Sequence, residues 1–278
     1  MQERKPLSFD TSALDVLQRK WKAKDEQLEE DLKPKVPSLP TSLPPPDEDA
    51  VRAFLNKRGS IAKYARESVE DKDIIRLRPG QWLNDEIINF YGAMILGRSE
   101  GCKENMPNGT GVVGAKGRGK SLNVHYFSTF FWSKLTSEGY DKGRLAKWTK
   151  KVDIFSKDAL LVPVNHSNAH WTAAAINFRR KRIESYDSMG MAKDIVFTYL
   201  RRYLDAEHRN KKKAPFDFTG WQDYAPDQEN GYDCGVFTCQ FLETLSRGEE
   251  MFRFTQKDMP YLRRRMIWEI GHTKLRDD

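Results

Sequence analysis

The N-terminal part of the chain combines a thin apolar stripe with a proline-rich stretch. Between residues 12 and 32, leucines and one tryptophan recur at helical spacing among charged residues, which predicts a helix. Prolines are then frequent across residues 33–46, where they exclude a helix and favour an extended linker. We therefore interpret residues 1–46 as an arm and residues 47–278 as the packed domain.

The first strong helical pattern of that domain begins at Trp82-Leu83-Asn84-Asp85. Asn84 can cap a helix on which apolar residues share one face, namely Ile87, Ile88, Tyr91, Met94 and Ile95. Residues 97–120 are rich in glycine and lysine and have no period, which predicts a flexible loop containing Cys102. Residues 127–135 are too aromatic to be exposed throughout.

Strand patterns follow in the middle of the chain. Residues 159–164 form a continuous apolar run, which is typical of a buried strand. Residues 170–178 and 182–187 predict two more strands, joined by a charged turn. After the last of these strands, helical spacing returns around residues 195–200, 237–245 and 261–270. Strands flanked by helices predict an α+β or α/β domain.

Composition sets the broad class of the protein. The 278 residues are 38% hydrophobic and 12% aromatic, which is enough to bury a core in one large domain with an appendage or in two small domains. No apolar run approaches the roughly 18 residues of a membrane span, and no secretory signal is expected at the N-terminus. The three cysteines are too few for a disulfide framework, so we expect a reducing compartment.

The chain is basic, with a formal net charge of +7. Its basic runs lie at residues 179–182, 211–213 and 263–265, where they can be solvated faces and turns. The alternative is a signal for nuclear import or a contact with polyanions. On the second interpretation, the protein would lie in the nucleus, including its envelope, or be shared between the nucleus and the cytoplasm.

Cys234 is the first candidate for chemistry because it lies at a turn that leads directly into an apolar helix. Unpaired amide donors at a helix N-terminus favour a thiolate. Gly235 would leave room beside the sulfur for a substrate carbonyl. A buried structural cysteine is the other interpretation, and position alone leaves both open. Cys239 falls inside the same helix and is predicted to be core.

A nucleophilic thiol needs a base and an orienting group. Among the histidines, His208 and His272 are predicted at the surface. His166 and His170 are four residues apart, but the segment between them predicts a turn and no glutamate follows, so no metal site is expected. His170 begins one predicted strand and Asp187 ends the next, which places them side by side in an antiparallel pair. Asp187 could instead serve only to start a turn.

An acyl-transfer enzyme also needs donors for the developing oxyanion. The backbone amide of Cys234 can supply one donor, and the side-chain amide of Gln228 can supply another. A single glutamine in a loop signifies little by itself. Together with His170, Asp187 and Cys234, however, it completes the constellation of a cysteine protease that needs no cofactor.

These residues resemble the ubiquitin-like-protein-specific proteases, the SUMO (sentrin) proteases of the papain-like superfamily. The resemblance covers roughly residues 70–275. Its blocks are Trp82-Leu83-Asn84-Asp85, residues 127–140, His170-Trp171, Tyr186-Asp187-Ser188 and residues 228–235. It implies a papain-like α+β fold with a central mixed or antiparallel sheet flanked by helices, and the chain order His, Asp, Gln, Cys.

The resemblance also implies roles in substrate binding. Trp82 and Trp171 would enclose the Gly-Gly tail of the modifier in a narrow tunnel. Asp85 would pair with a basic residue on the modifier, and Phe127 would contact the same surface. The alternative interpretations are core tryptophans, an acidic residue suited to the helix dipole, and a core phenylalanine.

The resulting prediction is a monomeric SUMO isopeptidase and endopeptidase whose partners are a SUMO-like modifier and its conjugates. A protease for another modifier, such as Nedd8 or ubiquitin, is the alternative within enzymes. A non-catalytic basic binding protein is the alternative from another class. Nucleic acid is not an expected partner, because the basic runs lie between elements rather than alternating with aromatics along a groove.

Overall fold

A computed structural model describes residues 21, 24, 38–104, 121–189, 193–225, 233–249 and 251–276. The chain divides into two compact units, Met1–Ser38 and Leu39–Asp278. In the first unit, Trp21 and Lys24 are helical, at positions where we predict a helix. The second unit contains all the elements described below. In the described part of the chain, no helix is both long and apolar enough to cross a bilayer.

The second unit is built on a mixed five-stranded sheet. The strands are β1 (Ser60–Tyr64), β2 (Glu67–Glu70), β3 (Val124–Tyr126), β4 (Ala159–His166), β5 (His170–Asn177), β6 (Arg182–Tyr186) and β7 (Gln222–Tyr224). β3 to β7 lie in sequence order, with the two inner pairings antiparallel and the two outer ones parallel. β1 and β2 form a separate antiparallel pair. The predicted central mixed sheet is confirmed.

Helices cover both faces of the large sheet. They are α1 (Pro45–Asn56), α2 (Asp71–Ile74), α3 (Asp85–Glu104), α4 (Phe130–Lys142), α5 (Lys193–Lys212), α6 (Cys234–Ser246) and α7 (Met259–His272). Short 3₁₀ helices occur at Ile75–Leu77, Leu145–Lys147, Ile154–Ser156 and Gln256–Asp258. This arrangement of helices and strands is the predicted α+β class.

The two faces of the sheet belong to two apolar clusters. Alternate residues of β4 and β5 point to opposite sides, so Leu161 and Ala173 pack with α3, α6 and α7. Leu160 and Ala174 pack instead with α4 and α5. Because both faces are covered, β5 is buried along its whole length. This explains why the central strands appear in the sequence as continuous apolar runs.

The helix α3 continues further than the sequence indicates. We predict a loop from residue 97, whereas α3 continues to Glu104 and includes Cys102. Gly97 lies inside this helix, and a β-carbon there would lie 2.0 Å from the Tyr64 hydroxyl oxygen. Glycine at this position therefore permits the close packing of the Tyr64 side chain from β1 rather than ending the helix. The loop prediction is therefore wrong for residues 97–104. Its remaining part, residues 105–120, lies outside the described residues.

Two further expectations change at the ends of the domain. α1 begins at Pro45, inside the segment that we interpret as an extended linker, because proline is tolerated in the first turn of a helix. At the other end, Arg263 and Arg265 are buried on α7 rather than forming a solvated basic face. Charged side chains are buried in proteins only when they are paired, and both arginines form ion pairs.

Candidate active site

Cys234 is the first residue of α6, as predicted, and its side chain is half-buried. The first backbone N–H groups of a helix have no partner within the helix, so they and the helix dipole favour negative charge at this position. Cys239 lies one turn further along the same helix and is buried in the apolar cluster, as predicted. The two thiols therefore have opposite environments.

Gly235 has a different role from the one predicted. We expect it to leave space for a substrate carbonyl, but a β-carbon added there would lie 2.9 Å from the Leu83 β-carbon. The space is occupied by the segment that precedes α3. Glycine is needed because the N-terminus of α6 packs directly against Leu83.

His170 and Asp187 form the predicted pair. The distance between His170 Nε2 and Asp187 Oδ1 is 2.6 Å, and both side chains are buried. The antiparallel pairing of β5 with β6 brings them together, because His170 begins β5 and Asp187 follows the last residue of β6. The same carboxylate oxygen accepts a hydrogen bond from the Met189 amide at 2.8 Å. Asp187 therefore both starts the turn and contacts the imidazole ring, so the two interpretations do not exclude each other.

His170 also hydrogen-bonds to Cys234, which completes a line of carboxylate, imidazole and thiol. Burial lowers the pKa of His170, but the hydrogen bonds to Asp187 and Cys234 outweigh it and raise the pKa to about 9. Burial likewise opposes ionisation of Cys234, but the hydrogen bond with His170 and the backbone amides of Trp171 and Gly235 lower the pKa of the thiol. These opposite shifts favour a thiolate–imidazolium pair.

The two tryptophans have different environments. Trp171 is only 7% exposed, and its indole N–H donates to the Leu83 carbonyl at 3.2 Å. Trp82 is 57% exposed. Leu83 thus contacts both the tryptophans and the start of α6. It follows Trp82 in the chain, accepts a hydrogen bond from Trp171 and packs on Gly235, the residue after Cys234.

Asp85 and Phe127 have different outcomes. Asp85 is a half-buried residue in the first turn of α3, where Asn84 accepts a hydrogen bond from the Ile87 amide as the predicted cap. Phe127 is 2% exposed and stacks on Phe131 at a centroid distance of 3.9 Å. A ring buried in this way is core, so the prediction that Phe127 contacts a partner surface is wrong. The exposed aromatic of this block is Phe130, at 60%.

Gln228, predicted to assist the oxyanion, lies outside the described residues. For His166, the sequence suggests only a metal site, which we do not expect. Its ring stacks on that of His170 with centroids 6.0 Å apart, and its Nε2 lies 3.0 Å from Thr172 Oγ1. No group of three potential metal ligands occurs among the described residues. His166 and His170 are partners in the antiparallel register of β4 and β5, so their four-residue spacing follows from the tight turn between these strands.

Comparison with known proteins adds to this geometry. The model for the Ulp1 protease family, C-terminal catalytic domain, matches residues 81–274. A sentrin-specific protease from Caenorhabditis elegans is 44% identical over 208 residues, which are 73% of this chain and 27% of that protein. The chain spans about a third or less of the length of the curated relatives it matches.

Solved structures show the same similarity. The catalytic domain of the Chaetomium thermophilum Ulp1-like SUMO protease has a TM-score of 0.70 and 26% identity, covering 87% of this chain and 94% of that chain. The C-terminal Ulp1 protease domain in complex with Smt3, the yeast ortholog of SUMO, has a TM-score of 0.65 and 26% identity, covering 85% and 98%. The predicted papain-like fold class is confirmed, and the chain belongs to the Ulp1 protease family.

Proposed function

We propose that this protein is a cysteine protease that hydrolyses the bond after the C-terminal Gly-Gly of a SUMO-like modifier. The observation that carries the proposal is the hydrogen-bonded line from Asp187 through His170 to Cys234 at the start of a helix. A cysteine with only a structural role does not require a hydrogen bond to an imidazole that is itself bound to a carboxylate.

The reaction follows the chemistry of an acyl-enzyme. The Cys234 thiolate attacks the carbonyl carbon of the last glycine, and the carbon–nitrogen bond breaks as His170 gives its proton to the leaving amine. Water then loses a proton to His170 and attacks the thioester, which releases the modifier carboxylate and restores the thiol. Asp187 holds the ring and stabilises its charged form throughout.

The oxyanion of each tetrahedral intermediate needs hydrogen-bond donors. The backbone amide of Cys234 belongs to the first turn of α6, where N–H groups lack partners within the helix. Gln228 remains our candidate for the second donor. An amide side chain suits this role because its N–H donates a hydrogen bond without adding a competing charge.

The tunnel for the Gly-Gly tail is proposed between Trp82 and Trp171. The exposed Trp82 ring is free to cover an extended tail, whereas the buried Trp171 ring would form a fixed wall beside His170. Asp85 remains a candidate contact for a basic residue on the modifier. Phe130 replaces Phe127 as the proposed aromatic contact because it is exposed at the surface.

The identity of the modifier is proposed from relatives. The matched proteins include sentrin-specific proteases, and one similar Ulp1 domain was solved in complex with Smt3. SUMO is therefore the first candidate, and Nedd8 or ubiquitin is the alternative. Both an isopeptide to lysine and a precursor peptide present the same glycyl carbonyl to Cys234, so the proposal covers deconjugation and maturation.

A probe experiment tests this proposal. The protein is incubated with SUMO, Nedd8 and ubiquitin, each carrying a C-terminal electrophile, and covalent adducts are measured by mass spectrometry. We expect an adduct with SUMO that is lost in Cys234→Ala. Labelling by ubiquitin or Nedd8 alone would overturn the choice of modifier. Absence of labelling by all three would favour the non-catalytic alternative.

Three broader expectations remain proposals. Residues 39–46 belong to the second compact unit, so only residues 1–38 of the predicted arm are proposed to be separate from the catalytic domain. The protein is proposed to be a monomer, and its location to be nuclear or shared with the cytoplasm. Light scattering at several concentrations measures the oligomeric state. Imaging of a fluorescent fusion measures the location, and deletion of residues 1–37 shows whether the arm directs it.

A further inference from the structure

Arg263 of α7 is a buried charge with an unusually complete set of partners. The residue is 3% exposed. Its Nε and Nη2 both donate to Asp233 Oδ1, with the Nε bond at 2.8 Å. Its Nη1 donates to the carbonyls of Arg76 and Arg78 at 3.1 and 3.0 Å, and Nη2 donates to the carbonyl of Gln81 at 2.8 Å. All five N–H donors of the guanidinium are therefore used.

Two of these four partners lie directly before residues of the proposed site. Asp233 precedes the nucleophile Cys234, and Gln81 precedes Trp82. One guanidinium thus binds the side chain that precedes Cys234 and the backbone carbonyl that precedes Trp82. The second oxygen of Asp233 accepts a further hydrogen bond, at 2.6 Å, from the Gln256 side chain.

The other side of Trp82 is fixed independently. Its following residue, Leu83, accepts a hydrogen bond from Trp171 and packs on Gly235. The exposed Trp82 therefore lies between two residues whose carbonyls accept hydrogen bonds: Gln81 accepts from Arg263, and Leu83 accepts from Trp171. Arg263 also binds Asp233, the residue directly before Cys234.

We propose that Arg263 is a positioning residue that sets the place of Cys234 relative to Trp82. The inference rests on the proposed function, which assigns those two residues to nucleophile and tunnel. A planar fork with five fixed donors can hold two segments in one geometry, whereas the three rotatable donors of lysine cannot. Misplacing reacting groups by about 1 Å can cost on the order of 100-fold in rate.

The substitution Arg263→Lys tests the geometry while it keeps the charge. We expect kcat on a SUMO precursor to fall about tenfold or more, with a much smaller change in KM, because Cys234 is displaced from the bound carbonyl. A displaced sulfur also loses part of its hydrogen bond with His170. Alkylation of Cys234 by iodoacetamide should therefore need a higher pH than in the wild type.

The neighbouring arginine provides a matched control. Arg264 lies on the same helix and pairs with Glu48 of α1 rather than with the active-site segments. Arg264→Lys should leave kcat and the alkylation profile unchanged. If Arg263→Lys does not fold, Asp233→Asn tests the same link, since it preserves shape and removes the charge-assisted bond. It should shift both readouts in the same direction, to a smaller extent.

Coupling of the two partners gives a further check. If Arg263 acts through Asp233, the double variant should lose no more activity than the worse single variant. A lower melting temperature with wild-type kcat and an unchanged alkylation profile would overturn the inference and leave Arg263 as an ordinary structural bond. Iodoacetamide needs no modifier, so a shifted profile would support the link to Cys234 even if no modifier were cleaved.

Discussion

Individual residues of α6 show how position determines the chemistry of a thiol. Cys234 begins the helix beside His170, and its pKa is lowered despite burial. Cys239 lies in the apolar cluster, where burial raises the pKa of its thiol far above the ordinary range. The start of the helix thus favours the thiolate, whereas the position five residues later favours the protonated thiol.

The first prediction concerns these two cysteines. Cys234→Ala should abolish cleavage of a SUMO precursor, because no other described thiol faces an imidazole. Cys239→Ala should keep activity and lower the free energy of unfolding by about 1 kcal/mol, since it removes one buried sulfur from a packed core. Cleavage assays and chemical denaturation measure the two effects. Equal activity of Cys234→Ala and the wild type would exclude the proposed nucleophile.

The second prediction concerns the pH dependence of alkylation and cleavage. The thiolate is lost as pH falls through the lowered pKa of Cys234, and the imidazolium is lost as pH rises through about 9 for His170. Activity should therefore be highest between these limits. Asp187→Asn removes the carboxylate that raises the pKa of His170, so the alkaline limb should move to lower pH. A pH–rate profile that keeps its alkaline limb in Asp187→Asn would contradict this assignment.

Secondary-structure elements bring these residues together in two ways. The antiparallel β5–β6 hairpin places Asp187 beside His170 through local pairing, and this could be predicted from the sequence because the connecting turn is short. The contact between α6 and the segment before α3 joins residues that are far apart in the chain. No pattern near Gly235 indicates that Leu83 is its neighbour.

The third prediction tests that contact. Gly235→Ala places a β-carbon 2.9 Å from Leu83 and should shift the start of α6, which lowers both kcat and the free energy of unfolding, the latter by about 1–3 kcal/mol. Gly101→Ala on α3 is the matched control, because an added β-carbon there meets no atom within 4 Å among the described residues, apart from its own helix backbone. It should stabilise the helix by about 0.5–1 kcal/mol and leave kcat unchanged. The assays are denaturant unfolding and steady-state kinetics.

At the scale of the whole molecule, the proposed tunnel is assembled from distant segments. Trp82 precedes α3, Trp171 belongs to β5, and the two meet through Leu83 in front of α6. Trp82 is exposed and Trp171 is buried, although both belong to sequence blocks that resemble the same protease family. Substitution of Trp82 should therefore affect mainly catalysis, and substitution of Trp171 should affect mainly stability.

The fourth prediction follows from this difference in burial. Trp82→Ala should change the free energy of unfolding by no more than about 0.5 kcal/mol, yet lower kcat/KM for the modifier about tenfold or more. Trp171→Ala should destabilise the fold by about 3–5 kcal/mol, because it removes a large buried ring and its hydrogen bond to Leu83. Calorimetry and kinetics measure the two quantities. Loss of stability in Trp82→Ala would show that its ring is part of the core.

The sequence by itself determined the central strands β4, β5 and β6, the helices α3, α5, α6 and α7, and the pairing of His170 with Asp187, because these depend on periodicity and on short connections. It also indicated Cys234, since a helix start is visible in the pattern of apolar residues. Tertiary structure decided that Phe127 is core, that α3 continues through Gly97 and that Arg263 binds both Asp233 and the Gln81 carbonyl. These outcomes depend on contacts across the fold, such as Tyr64 over Gly97, which local patterns of sequence do not contain.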